Sequence, residues 1–209
     1  MKRNTKEDIL LVSLNLFAHA GYDGVTMRDI AEQVGIRQSS IYKHFEGKQE
    51  IFDSLVERMD TEYRKKLGEM RLAFGDSDKR AEQYIGKKLR DMAEIGVTMF
   101  KYWTQDEYAS LFRKMLTIEQ YHNSEIANLY DKYFLTGIIH FQSDIISHLV
   151  ENGFFKQGDY RLMAMEFFGP IFFMITAYDV GQDKDDFEEL IREHVKKFGK
   201  THAVSVMED

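Results

Sequence analysis

The sequence contains no cysteine, only one proline and no long charge-free apolar run. Without cysteine, the chain has no disulfide framework, no thiolate metal site and no cysteine nucleophile. A single proline leaves few of the turns that a sheet protein needs, whereas long runs of Leu, Met, Glu, Lys, Ala and Gln favour helices. The longest charge-free apolar stretches, residues 9–22 and 167–178, are shorter than the roughly 20 residues of a membrane-spanning helix. We therefore expect an all-α, cytoplasmic protein without a signal peptide or membrane anchor.

The charge of the chain is divided unevenly. Its 209 residues carry a formal net charge of -7, which on its own argues against a nucleic-acid partner. Residues 1–48, however, contain seven Lys or Arg and six Asp or Glu, a balance of +1, so the acidic excess lies in the remainder. This difference directs attention to the N-terminal segment.

The N-terminal segment begins with two predicted helices. Apolar residues at helical spacing predict the first helix over residues 5–20, with Gly21 ending it. Thr26 is expected to cap the second helix, because Asp29 three residues later completes a capping box. Gly35 then supplies a tight turn.

A third helix is predicted from about Arg37 to Phe45. Ile36, Ile41 and Phe45 are expected to point inward, and the two preceding helices present apolar residues on which they can pack. Three helices with a glycine turn before the third match the helix-turn-helix, whose last helix enters the DNA major groove. The opposite face of this helix carries side chains able to bond bases or phosphates, namely Gln38, Ser39, Tyr42 and Lys43.

The run ILLVSLNLFAHAGYDGVTMRDIAEQVGIRQSSIYKHFEGKQEIF, residues 9–52, resembles the DNA-binding domain of TetR family transcriptional regulators. The matches to the family pattern are ungapped and fall at Phe17, Gly21, Thr26, Ile30, Ala31, Gly35, Tyr42, Phe45, Lys48 and Ile51.

The resemblance implies roles for individual side chains. It implies phosphate contacts from Thr26, Tyr42 and Lys48, and base or near-base contacts from Arg28, Gln38, Ser39, Ser40 and Lys43, with His44 flanking them. Arg37 departs from the pattern, because the family usually has Ser or Thr there to cap the third helix. We expect Arg37 to leave that helix without a side-chain cap and to be a further DNA contact.

The rest of the chain is predicted to be helical as well. A fourth helix from Lys48 to about Ala73 is expected to connect the helix-turn-helix domain, residues 1–47, to a ligand-binding and dimerisation domain, residues 48–209. After a turn at residues 75–78, helices are predicted near residues 79–95, 97–103, 105–121, 123–151, 159–180 and 184–199.

The last two predicted helices carry more apolar surface than one packing face uses. A subunit interface is the simplest use of the excess, and the two helices resemble the dimerisation helices of the TetR family. The residues predicted for this homodimer interface are Met163, Phe167, Ile171, Phe172, Ile175, Phe187, Leu190, Ile191 and Val195.

The resemblance also implies a small-molecule effector held in the helical core. Aromatic and methionine side chains suit a small, largely apolar ligand. The candidate lining residues are Met99, Phe100, Trp103, Phe112, Met115, Tyr130, Phe134, Ile138, Phe141 and Phe168. Plain core packing is the alternative for each of these side chains.

Other chemistries find less support in the sequence. One helical face carries His140, Asp144 and His148, which could suggest metal ligation. A core histidine whose hydrogen bonds are satisfied by the protein is commoner than a metal-binding one. Glu119 and His122 form only half of a di-iron motif. No Walker loop, dinucleotide fingerprint, HExxH or nucleophile elbow occurs, so we expect no enzyme, no cofactor and no metal.

The sequence thus predicts a homodimeric, ligand-responsive regulator, most simply a repressor, whose partners are double-stranded operator DNA and a small effector, without a membrane. A ligand-independent helical regulator and a protein-binding adaptor are the alternatives.

Overall fold

The computed structural model describes residues 4–70, 89–181 and 186–204 of the chain. Within these residues the secondary structure is helical without strands, which confirms the all-α prediction. The helices are α1 Thr5–Ala20, α2 Met27–Val34, α3 Gln38–Ile41, α4 Lys48–Glu69, α5 Leu89–Gln105, α6 Glu107–Glu119, α7 Ser124–Phe134, α8 Thr136–Glu151, α9 Tyr160–Val180 and α10 Phe187–His202.

The first two helices begin and end where the sequence predicts. α1 ends at Gly21, which has a φ of 76°. At the start of α2, the Thr26 hydroxyl accepts from the Asp29 amide while the Asp29 carboxylate accepts from the Thr26 amide, so the predicted capping box forms. Gly35 ends α2 in the left-handed conformation, with φ 75° and ψ 38°. A side chain at Gly35 would meet no atom within 4 Å, so the backbone angle and not lack of space favours glycine here.

The third helix is shorter than predicted. α3 spans four residues, Gln38–Ile41, and the chain continues as a turn in which the His44 and Phe45 amides both donate to the Ile41 carbonyl. Arg37 occupies the N-cap position and makes no side-chain capping bond, as expected from its place in the sequence. A single helical turn has few bonds of its own, so α3 depends on Ile41 and Phe45, which are 0% and 1% exposed.

The boundaries of two later predicted helices are wrong. We predicted a break near residue 96, but α5 runs through Gly96. A Cβ atom added to Gly96 would lie 3.2 Å from Ile191 Cγ2 and 3.5 Å from Val195 Cγ2 on α10. Gly96 therefore allows α5 and α10 to pack closely, and it does not end a helix.

The single helix predicted over residues 123–151 is instead two helices, α7 and α8. The break falls at Leu135, whose φ and ψ are -122° and -110°. The Asp131 carboxylate accepts hydrogen bonds from the amide and hydroxyl of Thr136 and so covers the start of α8. A Cβ atom at Gly137 would lie 2.1 Å from the Lys132 carbonyl oxygen, so the sharp reversal requires glycine.

Other predicted boundaries are close to those observed. α4 ends at Glu69, before the predicted end near Ala73. The predicted turn at residues 75–78, the first part of the helix predicted over 79–95 and residues 184–185 lie outside the described residues. α9 continues through Pro170 and matches the prediction.

The chain divides into two compact units, and the division differs from the predicted boundary at residue 48. The first unit contains residues up to Arg64 together with Asp106–Tyr130, and the second contains Lys65–Gln105 together with the chain from Asp131. α6 belongs to the first unit because it packs against α1, and because the Tyr108 hydroxyl donates to the Leu55 carbonyl of α4 at 2.7 Å. Burial raises the pKa of Tyr108.

The second unit is held by contacts between α5, α8, α9 and α10. The Phe100 ring on α5 lies edge-on to Tyr178 and Phe187, with ring centroids 5.5 and 6.1 Å apart. The Arg192 guanidinium on α10 pairs with the Glu94 carboxylate of α5 at 2.7 Å. This pair lowers the pKa of Glu94, chiefly through the hydrogen bond from Arg192.

Among the described residues, α9 is long and apolar enough by length and composition to cross a membrane. One such helix is weak evidence, because core helices of soluble proteins meet the same criterion. Met163, Ile171 and Ile175 of α9 are buried within the second unit.

Candidate nucleic-acid interface

The helix-turn-helix presents a polar face formed by residues 37–44 and the start of α2. Ile30, Ala31 and Val34 of α2 are buried, as is Ile41 of α3, and this packing leaves the other side of α3 in solvent. The side chains exposed on this face are Thr26, Arg28, Arg37, Gln38, Ser39, Tyr42, Lys43 and His44, while Ser40 is half-buried. We call these nine residues the polar face.

The polar face carries positive charge and side chains able to bond bases. Arg28, Arg37 and Lys43 supply cations, and the Tyr42 ring is 52% exposed. Cations and hydroxyl groups suit phosphate oxygens, whereas the Gln38 amide suits the paired donor and acceptor of an adenine edge. The predicted DNA contacts other than Lys48 thus lie on accessible positions.

Thr26 is exposed, but its hydrogen-bond donors are engaged. Its amide and hydroxyl both donate to the Asp29 Oδ2 atom, at 2.8 and 2.7 Å. Both bonds lower the pKa of Asp29, and the bond from the hydroxyl has the larger effect. A phosphate oxygen would have to displace the Asp29 carboxylate to receive a bond from the Thr26 hydroxyl.

Lys48 differs from the other predicted contacts. It is half-buried, and its ammonium donates to the carbonyl oxygens of Tyr22 and Val25 at 2.7 and 3.0 Å. The same ammonium lies 4.2 Å from the centroid of the Tyr22 ring. At least two of the three N–H donors of the ammonium therefore form hydrogen bonds with carbonyl oxygens of the protein.

Sequence reasoning missed Tyr22 and Glu119, which meet in the first unit. The Tyr22 amide donates to Glu119 Oε1 at 2.9 Å. The Tyr22 hydroxyl donates to Gln49 at 2.9 Å, and burial raises the pKa of Tyr22. Glu119 lies 97 positions after Tyr22 in the sequence, which explains why no local motif reveals the contact.

The residues predicted to line a ligand pocket are divided between the units. Phe112, Met115 and Tyr130 belong to the first unit, where Phe112 and Met115 are 0% exposed on α6. The members in the second unit are Met99, Phe100, Trp103, Phe134, Ile138, Phe141 and Phe168. Trp103 is buried there. The centroids of the Trp103 and Phe134 rings are 4.6 Å apart.

The residues predicted for the dimer interface differ in how far they are buried within the protomer. Met163, Ile171, Ile175, Ile191 and Val195 are each at most 5% exposed, so the protomer already covers them. The helical period turns these five side chains toward the core of the second unit. Phe167, Phe172 and Phe187 are half-buried and Leu190 is exposed.

Other exposed apolar side chains of α9 are not in the predicted set. Leu162, Met165 and Phe173 are exposed on α9, together with Leu190 on α10. We call these four residues the apolar face. Of the residues predicted for the dimer interface, only Leu190 belongs to the apolar face.

The three residues considered for a metal do not form a site. His140 and Asp144 are exposed, and the His148 Nδ1 atom is 2.7 Å from the Asp144 carbonyl oxygen. Across the described part of the chain, no group of three or more His, Cys, Asp or Glu side chains is placed to hold a metal ion.

Comparison with known proteins agrees with the helix-turn-helix geometry. The sequence profile of the bacterial regulatory proteins of the TetR family matches residues 9–55. Residues 9–55 are thus similar to the N-terminal domain of TetR family regulators. The matched segment contains α1 from Ile9 onward, α2, α3 and the first turns of α4.

The curated relatives match only about a quarter of this chain. The biofilm operon icaADBC HTH-type negative transcriptional regulator IcaR of Staphylococcus epidermidis is 40% identical over 52 residues, which are 25% of this chain and 28% of IcaR. The chain thus matches little more than a quarter of the length of this relative.

Solved structures of low sequence identity share the fold over nearly the whole length. SmeT in its complex with triclosan has a TM-score of 0.67 and 16% identity, covering 98% of this chain and 96% of SmeT. SmeT is the repressor of a multidrug efflux pump of Stenotrophomonas maltophilia. A transcriptional regulator from Saccharomonospora viridis in complex with choline has a TM-score of 0.67 and 17% identity, covering 96% and 98% of the two chains. These named proteins are regulators, in agreement with the prediction that this chain is not an enzyme.

Proposed function

We propose that the chain is a ligand-responsive transcriptional regulator, most simply a repressor, that binds a palindromic operator as a homodimer and is released by a small, largely apolar effector. The observation that carries this proposal is the polar face, which exposes Arg28, Arg37, Gln38, Tyr42 and Lys43 on a buried helix-turn-helix scaffold. A negative-regulator relative supports repression.

The effector part of the proposal is supported by the fold and by the aromatic interior of the second unit. Two neighbours of the same fold were solved with triclosan and with choline, respectively. In this chain, four buried aromatic rings lie close together, those of Tyr102, Trp103, Tyr133 and Phe134. The ring centroids of Tyr102 and Tyr133 are 5.1 and 5.9 Å from the ring centroid of Trp103. Aromatic walls suit an apolar or cationic small molecule.

The homodimer part is supported by the apolar face. Leu162 and Phe173 are 63% and 69% exposed, and exposed apolar surface of this kind marks interaction sites. A two-fold dimer presents two helix-turn-helix domains to two half-sites about one helical turn, or a small multiple, apart. A soluble dimer of this kind acts in the cytoplasm.

DNA binding is tested by fluorescence anisotropy with the DNA upstream of the chain's own gene, against unrelated competitor DNA, over a range of salt concentrations. Lys43→Met should weaken binding to all sequences and lower the slope of log K against log salt by about 0.9, because one phosphate contact is lost. Gln38→Ala should leave that slope unchanged and reduce discrimination against substituted bases by about 1–3 kcal/mol.

Lys197→Met is the matched control, because it removes an exposed cation from α10 in the second unit. It should leave both the affinity and the salt slope unchanged. Equal effects of Lys43→Met and Lys197→Met would contradict DNA recognition by the polar face.

The effector is tested by thermal-shift screening of small apolar compounds, followed by titration with and without operator DNA. An effector that weakens DNA binding must itself bind more weakly in the presence of DNA by the same factor, typically about 5–150-fold. If no compound binds while operator binding persists, the chain is a ligand-independent regulator instead.

A further inference from the structure

The segment between α1 and α2, residues 21–25, sets the path of the chain into the helix-turn-helix. We call this segment the α1–α2 corner. Gly21 begins it with a φ of 76°, and it leads directly into the Thr26 capping box of α2. Its geometry therefore determines how α2 and the attached α3 lie against α1.

Lys48 holds the carbonyl side of the α1–α2 corner. From the first residue of α4, its ammonium donates to the carbonyl oxygens of Tyr22 and Val25, 2.7 and 3.0 Å away. The Tyr22 ring lies under the ammonium with its centroid 4.2 Å away, a position in which the ring face attracts a cation. Hydrogen bonds from a charged donor are stronger than neutral ones, so this contact restrains the corner firmly.

Glu119 holds the amide side of the same corner. Its Oε1 atom accepts from the Tyr22 amide at 2.9 Å, and its side chain is buried, with the residue 4% exposed. Its Oε2 atom is buried, and no atom of the residues that the structure describes forms a hydrogen bond with it. A Cβ atom at Gly21 would lie only 2.2 Å from Oε1, so glycine is needed for the carboxylate to approach.

Burying a carboxylate costs stability, so core packing alone does not account for Glu119. The contact it makes is with the backbone of the α1–α2 corner, 97 residues away in sequence. Tyr22 is thereby held at its amide by α6 and at its carbonyl by α4.

We propose that Lys48 and Glu119 are positioning residues that clamp the α1–α2 corner, and that Lys48 supports DNA binding through this clamp and not through a phosphate contact. This inference rests on the proposed function, since it concerns how the helix-turn-helix is held for DNA. When the clamp is removed, fewer molecules have the binding-competent arrangement, and the apparent affinity falls by that fraction.

The salt dependence of DNA binding separates the two roles of Lys48. Lys48→Met keeps most of the side-chain stem over the Tyr22 ring and removes the ammonium. We expect operator affinity about tenfold weaker, as when a tenth of the molecules are competent, with the slope of log K against log salt unchanged. Lys43→Met is the matched variant, and it should lower the slope by about 0.9. A slope lowered by the same amount in Lys48→Met would overturn the proposal.

The amide of Tyr22 reports on the clamp without DNA. In the unmodified chain it should exchange its hydrogen slowly although it lies outside the helices. Glu119→Gln keeps an oxygen acceptor and should preserve both this protection and operator affinity. Glu119→Leu fills similar space without an acceptor, so Tyr22 exchange should become fast and operator affinity should fall about tenfold. Fast Tyr22 exchange in the unmodified chain, or equal behaviour of the two variants, contradicts the clamp.

Failure of this inference differs from failure of the proposed function. If the unmodified chain does not bind operator DNA, the proposed function is wrong, whereas the exchange of the Tyr22 amide still decides whether the clamp exists.

Discussion

At the scale of single residues, the capping box of α2 is the feature with the clearest dependence on pH. Asp29 accepts bonds from both the hydroxyl and the amide of Thr26, and its pKa is lowered mainly by the first. Because the folded-state pKa lies below the unfolded one, the stabilisation is fully present above the unfolded pKa. It is lost as the pH falls through the folded pKa.

We therefore expect Thr26→Ala to lower the free energy of unfolding by about 1 kcal/mol near neutral pH. Urea denaturation of the unmodified chain and of Asp29→Asn, at neutral pH and below about pH 4, measures the pH-dependent part. The difference between the two proteins should shrink in acid, since the other carboxyl groups titrate in both. A difference that stays constant with pH would mean that the Asp29 bonds do not persist in solution.

At the scale of helices, the packing of α5 against α10 depends on the absence of a side chain at Gly96. Its nearest neighbours would be Ile191 and Val195, which are both buried. Gly96→Leu should destabilise the chain by about 1–3 kcal/mol or more, because the extra carbons force these helices apart. Thermal or urea denaturation followed by circular dichroism measures this loss.

Gly68 is the matched control for Gly96. It lies near the end of α4, where an added Cβ atom would meet no atom of the described residues within 4 Å. Gly68→Ala should be neutral or stabilising by up to about 1 kcal/mol, as alanine favours helices over glycine. If Gly96→Leu were as well tolerated as Gly68→Ala, the close approach of α5 and α10 would be refuted.

At the scale of the whole molecule, the apolar face makes the oligomeric state the main question. Phe173 is 69% exposed on α9, and we expect Phe173→Glu to give folded monomers that have lost operator binding, because burying a charge in a subunit interface is costly. Analytical ultracentrifugation at micromolar concentration, with circular dichroism to check folding, measures this outcome.

Two variants control the dimer prediction. Tyr121→Glu changes a residue that is 84% exposed in the first unit and should leave the dimer intact, whereas Ile171→Glu places a charge in the protomer core and should unfold the chain. A soluble, stable monomer of the unmodified protein would refute the homodimer.

Local patterns in the sequence were sufficient for α1, α2 and the buried side of α3, although not for the length of α3. Helical spacing and Gly21 predicted α1, and the Thr26 box and the left-handed Gly35 predicted α2. The inward direction of Ile41 and Phe45 followed from the same periodicity. These features depend on residues within about one or two helical turns, so one sequence contains all the information they need.

The tertiary structure decided what neighbours across the chain determine. Sequence alone suggested a helix end at Gly96, where α10 instead approaches α5, and it gave no sign of the reversal at Leu135. It also gave no sign that the Lys48 ammonium contacts carbonyl oxygens 23 and 26 residues away. The contact of Glu119 with Tyr22 spans 97 residues. The composition and the helical periodicity of a segment show that a helix has an apolar face. The residues of that face that remain exposed depend on what packs against the helix, and only the folded chain brings those partners together.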